Sequence, residues 1–165
     1  MPEKEIIERA KKARRRGKSP STQSGEFVRE EMHHIREGKH GARSTKQAIA
    51  IGLSKARRAG VDLPPPKKGR VSEKTRRSAA RAYEKGRRGN NETAPRRSRA
   101  TERALKREGR RAASRKALSK QARSAARHRP RAARSASARQ AARTKGRRGR
   151  SIAARKAARK RARRA

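Results

Sequence analysis

Large apolar residues are concentrated in the first third of the chain, where they recur at helical spacing. Ile6, Ile7 and Ala10 share one face of a helical projection, and Gly17 follows the basic end of this stretch. The pattern predicts a helix over 2–16.

A second apolar stripe predicts a helix over 25–37. Val28, Met32 and Ile35 are separated by four and then three residues, which places them on one helical face. Ser24 precedes this stretch, and we expect its side chain to cap the helix.

The third element has signals at both ends and is predicted over 45–59. Ser44 and Gln47 have the spacing of a capping box. Gly60 followed by Val61 is typical of a left-handed C-cap with its hydrophobic contact.

These three elements predict an all-α fold with a small three-helix module over 1–63, near the lower size limit of independent stability. Ile51 lies on the opposite side of the third helix from Ile49 and Leu53. It either completes a small core that wraps the helix on two sides or marks a homomeric contact, and the oligomeric state stays open.

The remainder of the chain changes character after three consecutive prolines. Residues 64–70 read as a Pro, Lys and Gly linker, and 71–165 as an Arg- and Ala-rich basic tail. Helix propensity is present over 73–85, where Ser72 is a cap, and over 98–128 with an interruption at Gly109. Because apolar faces are small and like charges oppose helix formation, we expect this tail not to pack and to be largely disordered or nascently helical.

Charge increases steadily toward the C-terminus. The net charge is +8 over 1–66, +11 over 67–108 and +23 over 109–165, and no acidic residue follows Glu108. Such an asymmetry indicates a basic arm that binds a polyanion through phosphate contacts. We expect nucleic-acid contacts from the following residues: Arg87, Arg88, Arg110, Arg111, Arg115, Lys116, Arg123, Arg127, Arg129, Arg131, Arg147, Arg148, Arg150, Arg155 and Lys156.

A second kind of phosphate contact is predicted in the loop before the third helix. His40 lies in the glycine-bracketed segment 38–41, and Arg43 and Lys46 follow it. Backbone N–H groups at a helix N-terminus together with basic side chains form an anion-docking point.

Sequence-specific reading of bases has weaker support. Arg129-Pro130-Arg131 and the segment 145–150 resemble the basic cores that insert into the minor groove, but neither has the Gly-Arg-Pro order. The alternative interpretation is a proline break and glycine hinges in a charged coil. Phe27 and Tyr83 are the chain's two aromatic residues, which argues against stacking of single-stranded bases.

Several function classes lack their signatures. The chain has no Cys, no phosphate-binding glycine loop, no nucleophile triad and no apolar run of membrane-spanning or signal-peptide length. Glu30, His33, His34 and Glu37 share a face of the second helix, which we interpret as a solvated charge face. We therefore expect no enzyme, metal site or cofactor, no membrane association, and a cytoplasmic location.

The leading hypothesis is a nucleoid-associated, histone-like protein that binds duplex DNA without much sequence preference. An RNA- or ribosome-associated factor is the first alternative, because the same charges bind RNA. The second alternative is an adaptor whose helical module recruits a protein.

Two resemblances accompany these predictions. The stretch EFVREEMHHIREGKHGARSTKQAIAIGLSKARRAGVDLPPPKKG, with the opening PEKEIIERAKK, resembles an uncharacterised bacterial family of small basic proteins. This likeness implies a bacterial origin and a compact helical module, and it assigns no site residue. The rest resembles the Ala-, Lys- and Arg-rich tails of bacterial histone H1-like proteins, although Arg outnumbers Lys here.

Overall fold

The computed structural model describes residues 4–89 and 94–163, and within these ranges it contains helices and no strands. The all-α class is therefore confirmed. The elements in chain order are α1 Lys4–Arg15, α2 Pro20–Glu37, α3 Thr45–Arg58, α4 Glu73–Arg87, α5 Pro95–Lys106, a 3₁₀ turn Arg111–Ala113, α6 Arg115–Arg127 and α7 Arg131–Ala162.

The chain divides into two compact units, Met1–Gln121 (unit 1) and Ala122–Ala165 (unit 2). In unit 1, α2 packs against α1, α3 and the 3₁₀ turn, and α4 packs against α3. The module is therefore not the self-contained three-helix bundle that the apolar pattern predicted. Small residues explain the difference, because α4 and the 3₁₀ turn contribute alanines rather than large apolar side chains.

The core of unit 1 consists of two apolar clusters. One lies between α1, α2 and α3, and contains Ile6, Ala10, Phe27, Ala56 and Val61. The other lies where α2 and α3 meet the 3₁₀ turn, and contains Met32, Ile35, Ala42, Ala48, Ala112 and Ala113. The prediction that nothing in the tail packs is therefore wrong for this segment and for α4, which packs against α3.

Local signals placed both ends of α3 correctly. Ser44 Oγ accepts a hydrogen bond from Gln47 N at 3.2 Å, which confirms the cap of α3. Gly60 is left-handed at φ +83°, and Val61 N bonds back to the carbonyl oxygen of Ala56 at 3.1 Å. The predicted C-cap of α3 is therefore confirmed.

The start of α2 was predicted incorrectly. Ser19 caps the helix, with its side chain accepting from Thr22 N, and Pro20 occupies the first turn. Proline suits that position because its fixed φ is helical and its missing N–H would have no partner there. Ser24 lies inside α2, where its hydroxyl donates to the carbonyl oxygen of Ser21 at 3.0 Å.

The tail is helical, which overturns the expectation of disorder. In α7, Ala, Arg and Lys fill 24 of the 32 positions, and all three are strong helix formers. Only four pairs of basic residues within α7 are spaced i, i+4, and each costs a few tenths of a kcal/mol. Propensity thus outweighs like-charge repulsion, although Gly146 interrupts the helix with φ 64° and ψ 177°.

Candidate nucleic-acid interface

The predicted contact residues of unit 2 are all solvent-exposed. Arg123 and Arg127 lie at the end of α6, and Arg129 lies in the turn that follows. The other six lie on α7: Arg131, Arg147, Arg148, Arg150, Arg155 and Lys156.

Helix α7 presents cations on every side. Its 13 Lys and Arg residues follow no single stripe, and Asp and Glu are absent from its sequence. At a rise of about 1.5 Å per residue, α7 has one cation per about 3.7 Å along its helix axis. The spacing is close to the one phosphate per about 3.4 Å along a single DNA strand.

The two segments that resemble minor-groove cores have different local structures. Pro130 is the N-cap residue of α7, so Arg129 and Arg131 flank a helix start. In 145–150, Gly146 is left-handed and breaks the helix, while the Arg150 Nε–H donates to the Gly146 carbonyl oxygen at 3.3 Å. Both segments fit the interpretation of a proline break and a glycine hinge.

Four predicted contact residues of unit 1 surround the 3₁₀ turn. Arg110 lies against Gly38, the left-handed residue that ends α2, and Arg111 begins the turn. Arg115 and Lys116 begin α6, and all four residues are exposed. These four cations therefore lie on, or directly next to, the segment that is docked on α2 and α3.

Arg87 and Arg88 lie at the C-terminal end of α4. The Arg87 guanidinium carbon is 6.0 Å from the centroid of the Tyr83 ring, within the range of a cation–π contact. Arg88 Nη2 is 3.7 Å from a carboxylate oxygen of Glu84. Both arginines are exposed, and each has one side-chain neighbour on α4.

The three residues predicted to dock phosphate before α3 do not point the same way. Arg43 and Lys46 are exposed. The His40 ring turns inward instead, with Nδ1 3.1 Å from the carbonyl oxygen of Gly41 and Nε2 3.3 Å from a carboxylate oxygen of buried Glu31. Both ring nitrogens are therefore engaged within unit 1.

A basic cavity of about 370 Å³ was not foreseen from the sequence. It lies between the end of α3, one face of α4 and the start of α5. Its walls are formed by Arg58, Ser78, Arg81, Ala82, Lys85 and Arg97. The spacing of Ser78, Arg81 and Lys85 along α4 could have indicated that they share a helical face. Arg58 of α3 and Arg97 of α5 line the cavity only because the chain folds, so sequence spacing does not reveal them.

The face of α2 that was interpreted as solvated is partly buried. Glu30 is only 5% exposed, whereas His33 and Glu37 are exposed. The reason is that α2 has neighbours on several sides, so a helical projection with one apolar face underestimates its buried surface.

Comparison with known proteins gives one match. Residues 15–69 match the model of a family of unknown function (DUF6496), which covers α2, α3 and the proline segment. No curated protein and no solved structure matches the chain. None of the described helices is both long enough and apolar enough to cross a membrane. The match supports the resemblance to an uncharacterised family over 15–69. The opening PEKEIIERAKK, and with it nearly all of α1, lies outside the match, as do α4 to α7.

Proposed function

We propose that this chain is a non-catalytic, nucleoid-associated protein that binds duplex DNA with little sequence preference. Residues 122–165 contain 18 Lys and Arg and no Asp or Glu. Every cation that the structure describes in α7 is exposed. This unopposed charge on a solvent-exposed helix is the observation that carries the proposal.

The chemistry of binding is phosphate neutralisation. Each Lys or Arg that meets a phosphate releases condensed counterions from DNA, and this release drives association. Because residues 122–165 contain no Asp or Glu, phosphate binding by the cations of α7 breaks no ion pair with an acidic side chain of unit 2.

Low sequence preference follows from the distribution of charge around α7. Base reading needs a rigid element that places one set of side chains against the base edges of a groove. Helix α7 has cations on all sides and a break at Gly146, so no one face is favoured.

Exposed cations of unit 1 are proposed to bind phosphates in the same way. Arg110, Arg111, Arg115 and Lys116 add four charges around the 3₁₀ turn, where docking on α2 and α3 fixes the backbone. We assign these residues to phosphate contacts as well, and we place the protein on chromosomal DNA in a bacterial cytoplasm.

Binding of the full chain to labelled random-sequence duplexes, with structured RNA as competitor, tests this function. We expect affinity for unrelated duplexes to agree within about tenfold and RNA to compete more weakly than duplex DNA. Stronger competition by RNA would favour the RNA-associated alternative. Absence of binding at low salt would exclude both and leave the protein adaptor.

A further inference from the structure

Three polar side chains converge inside unit 1, where the end of α2 meets the loop before α3. Glu31 and His34 are one helical turn apart on α2, and His40 lies in the loop that leads to α3. One potential ligand atom from each lies within 4.8 Å of the other two. The Glu31 side chain is completely buried, and the His40 side chain is 14% exposed.

The hydrogen bond at Nδ1 of His40 determines whether the other ring nitrogen, Nε2, has a lone pair in the neutral ring. Nδ1 is 3.1 Å from the Gly41 carbonyl oxygen, which can only accept, so Nδ1 carries a proton. In the neutral ring Nε2 then has a lone pair, and it faces Glu31 Oε1 at 3.3 Å. Two lone-pair atoms in this enclosed position repel each other unless a cation, either a proton or a metal ion, lies between them.

Lys55 fixes the carboxylate from its other side. Its Nζ is 2.7 Å from Glu31 Oε2, which leaves Oε1 directed at His40. Apart from these ionic contacts, neither Glu31 oxygen has a hydrogen-bond partner of regular geometry among the described residues. Groups that hold the second oxygen of a carboxylate, or the second nitrogen of an imidazole, orient these side chains in metal sites.

We propose that Glu31, His34 and His40 bind one divalent transition-metal ion of the zinc class. Two imidazole nitrogens and one carboxylate oxygen suit Zn²⁺, whereas Ca²⁺ and Mg²⁺ prefer oxygen ligands. Zinc bonds of about 2.0–2.2 Å require the three atoms to draw closer by up to roughly an ångström, which side-chain rotation of His34 and His40 would supply. Both histidines are of intermediate exposure. A water molecule would supply the fourth ligand.

The ion would join the end of α2 to the loop before α3. If the ion binds the folded chain and not the unfolded chain, the free energy of unfolding increases with the logarithm of the metal concentration. Because protons compete for the imidazole nitrogens, acid weakens the binding. The proposal does not depend on DNA binding, since none of the three ligands is among the cations assigned to phosphate contacts.

Calorimetric titration of the chelator-treated full chain with Zn²⁺, without nucleic acid, tests the site. We expect one ion per chain and a higher unfolding temperature with Zn²⁺. His34→Ala and His40→Gln should each weaken binding at least tenfold, with unchanged far-UV circular dichroism. The matched control, His33→Ala with His128→Ala, removes the chain's two exposed histidines and should leave the affinity unchanged.

Two results would overturn the proposal. Equal weakening by the control pair would mean scattered surface coordination by histidines. Absence of saturable Zn²⁺ binding to the wild-type chain would mean that Glu31, His34 and His40 form a structural polar cluster that holds no metal.

Discussion

The Thr45 hydroxyl donates a buried hydrogen bond of 2.7 Å to the carbonyl oxygen of Ala112, 67 residues away in the sequence. Two further contacts reinforce it, from Arg36 Nε to the Ala113 carbonyl oxygen at 2.9 Å and from Ala42 N to the Gly109 carbonyl oxygen at 3.1 Å. The segment around the 3₁₀ turn is thus an integral part of the core of unit 1.

Thr45→Val removes this donor with little change in shape. The Ala112 carbonyl then stays buried without its partner, so we expect a loss of about 1–3 kcal/mol in the free energy of unfolding. Urea unfolding of the full chain measures it. Thr101→Val, at an exposed position, is the control and should change stability by less than about 0.5 kcal/mol. Equal effects would contradict the buried contact.

Glycine substitutions in α2 and α3 should have opposite signs. A Cβ at Gly52 would lie 2.7 Å from Val28 Cα, so Gly52→Ala should destabilise unit 1 by about 1–3 kcal/mol. Gly25 has open space around it inside α2, so Gly25→Ala should stabilise by about 0.5–1 kcal/mol. Thermal unfolding of both variants checks the helix packing, and stabilisation by Gly52→Ala would contradict it.

The single tyrosine reports on the contact between α4 and the segment after α3. Tyr83 donates to Asp62 Oδ1 at 2.5 Å, and this hydrogen bond raises the pKa of the phenol above its ordinary value. The folded pKa is raised, so any stabilisation is present below about pH 10 and is lost as pH rises through the folded value.

Absorbance titration of the phenol measures this effect directly, because the chain has one tyrosine. Asp62→Ala should bring the pKa of Tyr83 down toward about 10. An unchanged titration midpoint would show that the two side chains are not in contact in solution.

Helix formation in unit 2 should not require DNA. Because strong helix formers outweigh four like-charge pairs in α7, we expect far-UV circular dichroism of the free full chain to show most of the helix that the complex shows. A large gain of helix on adding duplex would restore the expectation of a nascently helical tail.

Sequence patterns located the first helices because their signals are local. The cap at Ser44 and the left-handed Gly60 involve residues within one or two turns of each other. The docking of Ala112 and Ala113 was missed because it depends on backbone carbonyls and methyl groups, which give no hydropathy signal. The cluster of Glu31 and His40 was missed because loop geometry brings them together.

The central claim is that unopposed cations of unit 2, rather than net charge, drive DNA binding. The most direct measurement is the salt dependence of duplex binding for two variants that each lose five charges. The first changes Arg147, Arg148, Arg150, Arg155 and Lys156 to Gln. The control changes five cations of unit 1 that pair with carboxylates: Arg9, Lys11, Arg29, Arg76 and Lys106.

With about ten phosphates neutralised, the wild-type slope of log K against log salt should be near −9, and affinity should fall by about five orders of magnitude between 50 and 200 mM salt. The unit 2 variant should make the slope shallower by up to about 4.5, and the control by less than about 1. Equal slopes for the two variants, or a salt-independent wild type, would contradict the account.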